Sequence, residues 1–172
     1  MNHLLETERL YFREFTLDDA TLLYEMHQDA KITKYTGDPI PWDSIERTKS
    51  ILQNTILPQY IHKIGRWAMH LKSDDSFIGW CGLKNVEGEI DLGYRLIPKF
   101  WGQGYATEAA KAVLEYGVKK EVGNIIGRAS VHNIASINVL KKIGLVWKEN
   151  YKEGTEDSVK FVFDDSVFRN TK

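Results

Sequence analysis

Three consecutive strand-like segments in the middle of the chain constrain its fold more than any other feature. The segments RWAMHLK, SFIGWCGLK and IDLGYRLI cover 66–72, 76–84 and 90–97, and they are rich in the aromatic and branched residues that strands favour. Only the short polar turns SDDS and VEGE separate them. Connections this short join antiparallel neighbours. The sequence therefore predicts a three-stranded antiparallel meander.

The segments on either side of the meander alternate between strand and helix patterns. Upstream, the sequence predicts a strand over 9–15, a helix from Thr16 or Asp18 to Met26, a break at Pro39 and Pro41, and a helix over 43–57 ended by Pro58. Downstream, it predicts a helix over 105–120, a strand over 124–131, a helix over 133–144 ended by Gly144, and strands over 145–151 and 158–164 joined by KEGTED. This order predicts an α/β (α+β) fold: one mixed, mostly antiparallel sheet of about seven strands, with about four helices on its faces.

Length and composition limit the class of protein. A chain of 172 residues without a repeat or a linker-like tract is expected to form one domain over 1–172. It lacks both an apolar run of roughly 20 residues and an apolar leader, which predicts a cytoplasmic protein with no membrane partner. The single cysteine, Cys81, argues against a disulfide or a cysteine-rich metal site, and the net charge of −1 gives no reason to expect a nucleic-acid partner. A monomer or a homodimer is the expected assembly.

A glycine-rich loop, IPKFWGQGYATEA, follows the meander and leads into a helical pattern. N–H groups at a helix start lack internal partners, and glycine lets them approach an anion, so Gly102 and Gly104 fit either a phosphate site or a plain turn. The loop lacks the GK[ST] ending of a nucleotide-hydrolysing loop. It also follows the fourth predicted strand, whereas a dinucleotide fingerprint follows the first strand of a parallel unit. Neither nucleotide hydrolysis nor hydride transfer is therefore supported.

The segment YRLIPKFWGQGYATEAAKAVLEYG resembles the acyl-CoA pyrophosphate loop of the GNAT superfamily of N-acetyltransferases. The family pattern Q/R-x-x-G-x-G/A falls on Trp101, Gly104 and Ala106, with Trp101 in place of Gln or Arg. The form W-G-x-G-Y-A is typical of the subgroup that resembles the ribosomal-protein N-terminal acetyltransferases. The segments ETERLYFREFTLDDA, FIGWCGL and NIASINVLKKIGL match the same subgroup in the same order, so the resemblance covers nearly the whole chain.

The resemblance implies acetyl-CoA as co-substrate, bound where the fourth predicted strand splays from the fifth. The acyl-pantetheine arm is expected to lie in that gap like an added strand, and the N–H groups of the loop are expected to hold the pyrophosphate. Asn133 and Asn138 are expected to contact the arm, although Asn133 also fits a helix N-cap. The implied cofactor-binding residues are Leu92, Gly93, Tyr94, Arg95, Leu96, Trp101, Gly102, Gln103, Gly104, Tyr105, Ala106, Thr107, Asn133 and Asn138.

Acetyl transfer to an amine needs a deprotonated amine, a donor for the charge that develops on the acyl oxygen, and a proton for the leaving thiolate. Many family members use a tyrosine to protonate the thiolate, but the matching residue here is Leu140, and the resemblance points to Ser136 instead. A backbone N–H near Leu92 or Gly93 is expected to face the acyl oxygen. The candidate catalytic residues are Ser136 as the acid, and Asp91 and Glu89, which share one strand face, as bases.

The implied function is acetyl-CoA-dependent N-acetylation of a primary amine, with a protein N-terminal α-amino group, such as that of a ribosomal protein, as acceptor. A small-molecule amine (an aminoglycoside, a polyamine or an amino-acid derivative) is an alternative acceptor, and an acid-lined cleft would favour a polycation. A non-catalytic CoA-binding module is a further alternative, because the family tyrosine is absent. Acceptor recognition is expected from the first two helices and the KEGTED hairpin, with Tyr35, Trp42 and Trp67 as aromatic candidates.

Overall fold

The computed structural model describes residues 3–35 and 42–164, which form one sheet with helices on both faces. The strands are β1 Leu5–Glu6, β2 Leu10–Arg13, β3 Gly65–Leu71, β4 Phe77–Val86, β5 Glu89–Leu96, β6 Ile125–Ser130, β7 Val146–Glu153 and β8 Glu156–Val162. The helices are α1 Ala20–His27, α2 Ala30–Thr33, α3 Ile45–Ile51, α4 Tyr105–Lys119 and α5 Ile134–Lys142. The predicted α/β fold is confirmed, with one strand and one helix more than expected. A single domain over 1–172 reaches beyond the described residues and stays a prediction.

The two additional elements are the shortest ones. Strand β1 has two residues that pair with β2, and α2 has four residues that follow an Asp29 cap. Elements of this length hold too few residues to produce a recognisable periodic pattern. The predicted break at Pro39 and Pro41 lies outside the described residues.

The segment after α3 differs from the prediction at Pro58. The α-helical pattern ends at Ile51, and a π-helical turn covers Leu52–Ile56. A 3-10 segment, Leu57–His62, follows with Pro58 in its first turn. Proline fits there because the N–H groups of a first turn have no helical acceptor. The prediction that Pro58 ends the helical segment was therefore wrong, and the segment continues in a tighter form.

The order of strands in the sheet is β1-β2-β3-β4-β5-β6-β8-β7. Every neighbouring pair is antiparallel except β5 with β6, and β3, β4 and β5 form the predicted meander. The last hairpin is tighter than predicted, because only Gly154 and Thr155 separate β7 from β8. Gly154 has a φ of 62°, which such a short turn requires. Most of KEGTED therefore belongs to the strands themselves.

The parallel strands β5 and β6 pair only where they begin. Ile90 aligns with Ile125 and Asp91 aligns with Ile126, and no later register pair joins these strands within the described ranges. From Leu92 onward the two strands separate. This gap is the splay predicted between the fourth and fifth strands, which are β5 and β6 in the structure.

Two apolar cores attach the helices to the sheet. Helices α4 and α5 cover one face, around the buried Trp67 and Leu114. Helices α1 to α3 cover the other face, around the buried Leu23 and Leu52. Among the residues described, no helix is long and apolar enough to cross a bilayer. The gap between β5 and β6 thus opens between two separately packed helical layers.

Candidate active site

A cavity of about 1000 Å³ extends from the gap between β5 and β6 to helices α1 to α3. Most residues that the sequence predicts as site residues line it. They are Asp91, Leu92, Gly93, Tyr94, Arg95, Leu96, Trp101, Gly102, Gly104, Tyr105, Ala106, Thr107, Asn133, Ser136 and Asn138. The predicted residues outside the lining are Glu89 and Gln103. The cavity therefore joins a region beside the glycine loop to a region beside the first helices.

Backbone groups of β5 face the gap beyond its last paired residue. The Ile90 N–H donates to the Asn124 carbonyl oxygen at 2.9 Å, on the β6 side, and the N–H direction alternates along a strand. The N–H groups of Tyr94 and Leu96 therefore point to the β6 side as well, whereas that of Gly93 points to β4. An extended chain of amides in the gap would meet these groups at the spacing of a strand.

Trp101 connects the loop to the end of β5. Its indole Nε1–H donates to the Leu96 carbonyl oxygen at 2.8 Å, although the side chain is about half exposed, at 49%. The Leu96 carbonyl faces the gap, where no strand neighbour reaches it. The indole therefore satisfies the last carbonyl of β5 and holds the loop next to the gap.

The glycine loop enters α4 through two residues in the left-handed region. Gly102 has a φ of 74° and Gly104, the N-cap of α4, has a φ of 83°. Residues with a Cβ pay roughly 1–2 kcal/mol in this region. A Cβ at Gly102 would meet nothing within 4 Å. The backbone conformation thus favours glycine at both positions, and the open space around Gly102 leaves room for an anion beside the helix start, which fits a phosphate.

Ser136 lies in the first turn of α5, opposite Tyr94 of β5. The Asn133 side-chain oxygen accepts the Ser136 N–H at 3.1 Å, which confirms Asn133 as the N-cap of α5. The hydroxyl oxygens of Ser136 and Tyr94 are 2.9 Å apart, and the Tyr94 hydroxyl also lies 3.1 Å from the Ser136 carbonyl oxygen. Burial raises the pKa of the Tyr94 phenol well above its ordinary value, so this hydroxyl stays protonated.

The Tyr94 hydroxyl is a functional candidate that sequence reasoning missed. The sequence places Tyr94 in the cofactor-binding strand for its backbone alone, and the position of the family's tyrosine acid falls on Leu140, which is a buried core residue. The available signal was strand alternation. Tyr94 shares its face of β5 with Leu92 and Leu96, and that face packs under α4 and α5.

Asp91 is buried between two arginines and is a poor candidate for a base. Its Oδ2 lies 2.7 Å from Arg66 Nη2 and its Oδ1 lies 3.1 Å from Arg128 Nε. Burial opposes ionisation of the carboxyl, but the two guanidinium groups outweigh it and hold the pKa of Asp91 below its ordinary value. A carboxylate stabilised in this way takes up a proton poorly at neutral pH.

Glu89 lies at the start of β5, away from the cavity. Its Oε2 pairs with the Lys160 ammonium group, and its Oε1 lies 3.3 Å from Asn124 Nδ2. The structure therefore engages both predicted bases in ion pairs, and only Asp91 faces the cavity.

Arg66 is a further site residue that the sequence did not indicate. Its Nη1 donates to the carbonyl oxygens of Gly82 at 2.6 Å and Asp91 at 3.1 Å. A Cβ at Gly93 would lie 2.8 Å from this guanidinium group. Gly93 therefore lets Arg66 lie flat across β4 and β5 on the face opposite Tyr94.

Two tryptophans, Trp42 and Trp80, line the cavity next to α1, and the first of them stacks on the buried His27. His27 Nδ1 lies 2.7 Å from the Leu23 carbonyl oxygen, and His27 Nε2 lies 2.7 Å from Arg95 Nη1. A carbonyl only accepts and a guanidinium only donates, so in these contacts Nδ1 is the donor and Nε2 is the acceptor. The imidazole stacks on Trp42 at 3.9 Å, and Arg95 lies over Trp80 at 5.3 Å. Aromatic and cationic groups therefore stand beside the aliphatic residues that line this part of the cavity.

Cations outnumber carboxylates among the described residues that line the cavity. Among the described residues, six cationic side chains line it against three carboxylates, namely Lys31, Arg66, Lys84, Arg95, Arg128 and Lys142 against Asp91, Glu153 and Glu156. Asp91 is paired as above, and Glu153 lies 3.0 Å from Arg128. Of the aromatic candidates, Tyr35 and Trp42 line the cavity, whereas Trp67 is only 1% exposed and belongs to the core. Six cations against three carboxylates leave the described part of the lining with a net positive charge, which does not favour a polycationic acceptor.

The arrangement of gap, glycine loop and helix start has a counterpart in known proteins. A family model described as an acetyltransferase (GNAT) domain matches residues 9–146. The chain belongs to the GNAT family.

The relatives of this chain include the uncharacterised N-acetyltransferase YoaA of Bacillus subtilis (strain 168). The two are 32% identical over 146 residues, which cover 82% of this chain and 81% of YoaA. The uncharacterised N-acetyltransferase p20 of Bacillus licheniformis is 28% identical over 143 residues, covering 81% of this chain and 80% of p20. The protein is thus an acetyltransferase enzyme.

A solved structure shows the same fold for this acetyltransferase over nearly its whole length. RimL, a ribosomal L7/L12 alpha-N-protein acetyltransferase in complex with coenzyme A, matches with a TM-score of 0.83. The match covers 94% of this chain and 97% of RimL at 14% identity. At that identity the likeness concerns the fold alone.

Proposed function

We propose that this acetyltransferase takes the acetyl group from acetyl-CoA and transfers it to the α-amino group of a protein N-terminus. The observation that carries the proposal is the gap between β5 and β6, which ends on the glycine loop at the start of α4. A strand-like arm with a phosphate group at one end fits this combination. The W-G-x-G-Y-A loop and the fold likeness to RimL support a protein N-terminus as the acceptor.

Each part of the site has a role in holding the co-substrate. When bound, acetyl-CoA supplies the activated acetyl thioester. The backbone groups of Tyr94 and Leu96 would pair with the pantetheine arm, and Asn133 and Asn138 at the start of α5 would flank it. The loop over 101–107 would direct its N–H groups to the pyrophosphate. The N–H groups on the gap side of β5 are the proposed donors to the acyl oxygen, and Gly93 is excluded because its N–H points to β4.

Ser136 is the proposed acid for the leaving thiolate, and Tyr94 sets its orientation. The two hydroxyl groups are 2.9 Å apart and share one hydrogen bond. The Tyr94 hydroxyl can donate either to the Ser136 carbonyl oxygen, 3.1 Å away, or to Ser136 Oγ. In the proposed reactive arrangement it donates to Ser136 Oγ, and the Ser136 hydrogen is free to point into the gap. The raised pKa of Tyr94 keeps the phenol protonated and therefore keeps it a donor.

The absence of a free carboxylate at the predicted base positions favours an acceptor that needs little help to deprotonate. An α-amino group has a pKa near 8, whereas a lysine side chain has a pKa above 10. An N-terminal amine is therefore partly neutral at physiological pH and can pass its proton to water. Asp91 and Glu89 are retained as structural ion-pair residues in this proposal.

An acceptor screen that follows thiol release from acetyl-CoA tests the proposal. Lysine-free peptides with a free N-terminus are compared with the same peptides carrying a formylated N-terminus, and with spermidine, an aminoglycoside and amino-acid amides. We expect thiol release with the free peptides and none with the formylated ones. Faster release with spermidine or the aminoglycoside than with every peptide would contradict the proposed acceptor class.

A further inference from the structure

The turn between β1 and β2 is attached to the first turn of α4 through one carboxylate. Thr7 Oγ1 donates to Glu108 Oε1 at 2.6 Å, and the Arg9 backbone N–H donates to the same oxygen at 3.0 Å. Arg9 Nε donates to Glu108 Oε2 at 2.6 Å. Burial of Glu108 opposes its ionisation, but these hydrogen bonds outweigh burial and hold its pKa below the ordinary value. Glu108 is therefore a charged anchor for Arg9.

The Arg9 guanidinium also contacts the glycine loop. Its Nη1 donates to the Gln103 carbonyl oxygen at 3.0 Å, and its centre lies 4.3 Å from the Tyr105 ring centroid. Its Nη2 lies 3.4 Å from the position that a Cβ at Gly104 would occupy. One side chain therefore spans the loop from Gln103 to Tyr105, although Arg9 is 94 or more residues away in sequence from each of them.

The bond to Gln103 determines the direction of the next N–H group. In a trans peptide the C=O and the following N–H point in opposite directions. Arg9 holds the Gln103 carbonyl, so the Gly104 N–H points away from Arg9, to the open side of the loop. Gln103 does not line the cavity. It affects the loop through its backbone carbonyl, which fixes the orientation of the peptide plane shared with Gly104.

We propose that Arg9 is a positioning residue for phosphate binding, which holds the loop with the Gly104 N–H directed at the pyrophosphate of the co-substrate. The inference rests on the proposed use of acetyl-CoA. Arg9 acts through the Gln103–Gly104 peptide, and Glu108 acts through Arg9. A lysine at position 9 has a single ammonium group and cannot bond Glu108 and Gln103 together in the same fork.

Substitution of Arg9 separates phosphate binding from binding of the rest of the co-substrate. Arg9→Met keeps an unbranched apolar stem and removes all of these bonds, and Arg9→Lys keeps the charge. We expect Arg9→Met to weaken CoA binding by about tenfold in calorimetry, as for loss of a charge-assisted hydrogen bond. Arg9→Lys should also weaken CoA binding. The KM for S-acetylpantetheine, which has no phosphate, should be unchanged.

Lys111→Met is the control, because it removes the same charge at an exposed position on α4. It should leave the affinity for CoA and the KM for S-acetylpantetheine unchanged.

Three outcomes would overturn the inference. Arg9→Met could bind CoA as tightly as the wild type, or it could lose CoA and S-acetylpantetheine binding equally, as a general loss of structure would. Wild-type protein without measurable CoA affinity would contradict the proposed function and this inference together. Glu108→Gln gives a second test that keeps Arg9 in place. It should weaken CoA binding less than Arg9→Met, and it should have no added effect in the Arg9→Met background.

Discussion

The hydroxyl groups of Tyr94 and Ser136 connect β5 to α5 beside the gap. Both could be structural, because a buried hydrogen bond contributes about 1 kcal/mol to stability. The direction of the hydrogen bond between them distinguishes a structural role from a catalytic one. Only when the Tyr94 hydroxyl donates to Ser136 Oγ is the serine hydrogen available for the thiolate.

A double-mutant cycle on this pair tests the coupling. Tyr94→Phe should lower kcat by roughly tenfold and leave the KM for acetyl-CoA unchanged, because it disturbs only the orientation of the acid. Ser136→Ala should lower kcat by roughly a hundredfold. Adding Tyr94→Phe to Ser136→Ala should cause no further loss in steady-state kinetics. Losses that multiply in the double variant would show that Tyr94 does not act through Ser136.

Asp91 has a structural role, because its carboxylate balances the positive charges of Arg66 and Arg128. Asp91→Asn should lower the free energy of unfolding by about 3 kcal/mol, since Arg66 and Arg128 would lose their shared anion. The folded-state pKa of Asp91 is below the ordinary value of 3.8. Its contribution is therefore complete above that pH and is lost as the pH falls through the folded-state pKa. Urea unfolding at neutral and acid pH measures both effects.

Glu89→Gln is the matched control for this measurement. It removes a carboxylate from the same face of the same strand, but its pair with Lys160 is more exposed. A loss of less than about 1 kcal/mol is expected. Equal losses for the two variants would contradict the distinction between a buried and a surface ion pair.

At the scale of elements, α5 depends on a residue with two roles. The Asn133 oxygen caps the helix, and its amide nitrogen is proposed to face the pantetheine arm. Asn133→Ala should lower the free energy of unfolding by about 1 kcal/mol and also weaken CoA binding. Asn133→Asp keeps the cap oxygen and removes the amide donor.

The alanine and aspartate variants therefore distinguish the capping role of Asn133 from its proposed contact with the pantetheine arm. Asn133→Asp should retain wild-type stability in thermal unfolding while its affinity for CoA falls. An aspartate variant that binds CoA like the wild type would leave Asn133 with its capping role alone.

At the scale of the whole molecule, the gap divides the sheet into β1–β5 and β6–β8, which pair with each other at only two positions. A ligand in the gap would contact both halves and bind the folded state alone. Acetyl-CoA at a hundred times its Kd should therefore stabilise the protein by about 2.7 kcal/mol and raise Tm by roughly 5 to 10 °C. S-acetylpantetheine at the same concentration should give a smaller shift. Calorimetric scans that show no shift with acetyl-CoA would contradict a gap-bound co-substrate.

The elements that the sequence predicted well are those with long periodic patterns. The meander strands and α4 correspond closely to their predicted ranges. Strand β1 and helix α2 were missed because two and four residues carry no periodicity. The predicted end of the second helix was wrong because proline is excluded from helix interiors but tolerated in first turns. The sequence does not show that a new 3-10 turn begins at Leu57, with Pro58 in its first turn.

The order of the longer elements, the glycine loop at the start of α4 and the family resemblance could all be predicted from the sequence. These properties depend on residues that are close together along the chain. The contacts between distant side chains came from the folded structure: Arg9 with Glu108 across 99 residues, Tyr94 with Ser136 across 42, and Asp91 with Arg128 across 37. A charge or a hydroxyl in a sequence does not indicate its partner, because hydrogen bonds and ion pairs act over a few ångströms in space. In the folded structure Asp91 is therefore an ion-pair residue and not a candidate base, and the Tyr94 hydroxyl becomes a candidate functional group beside Ser136.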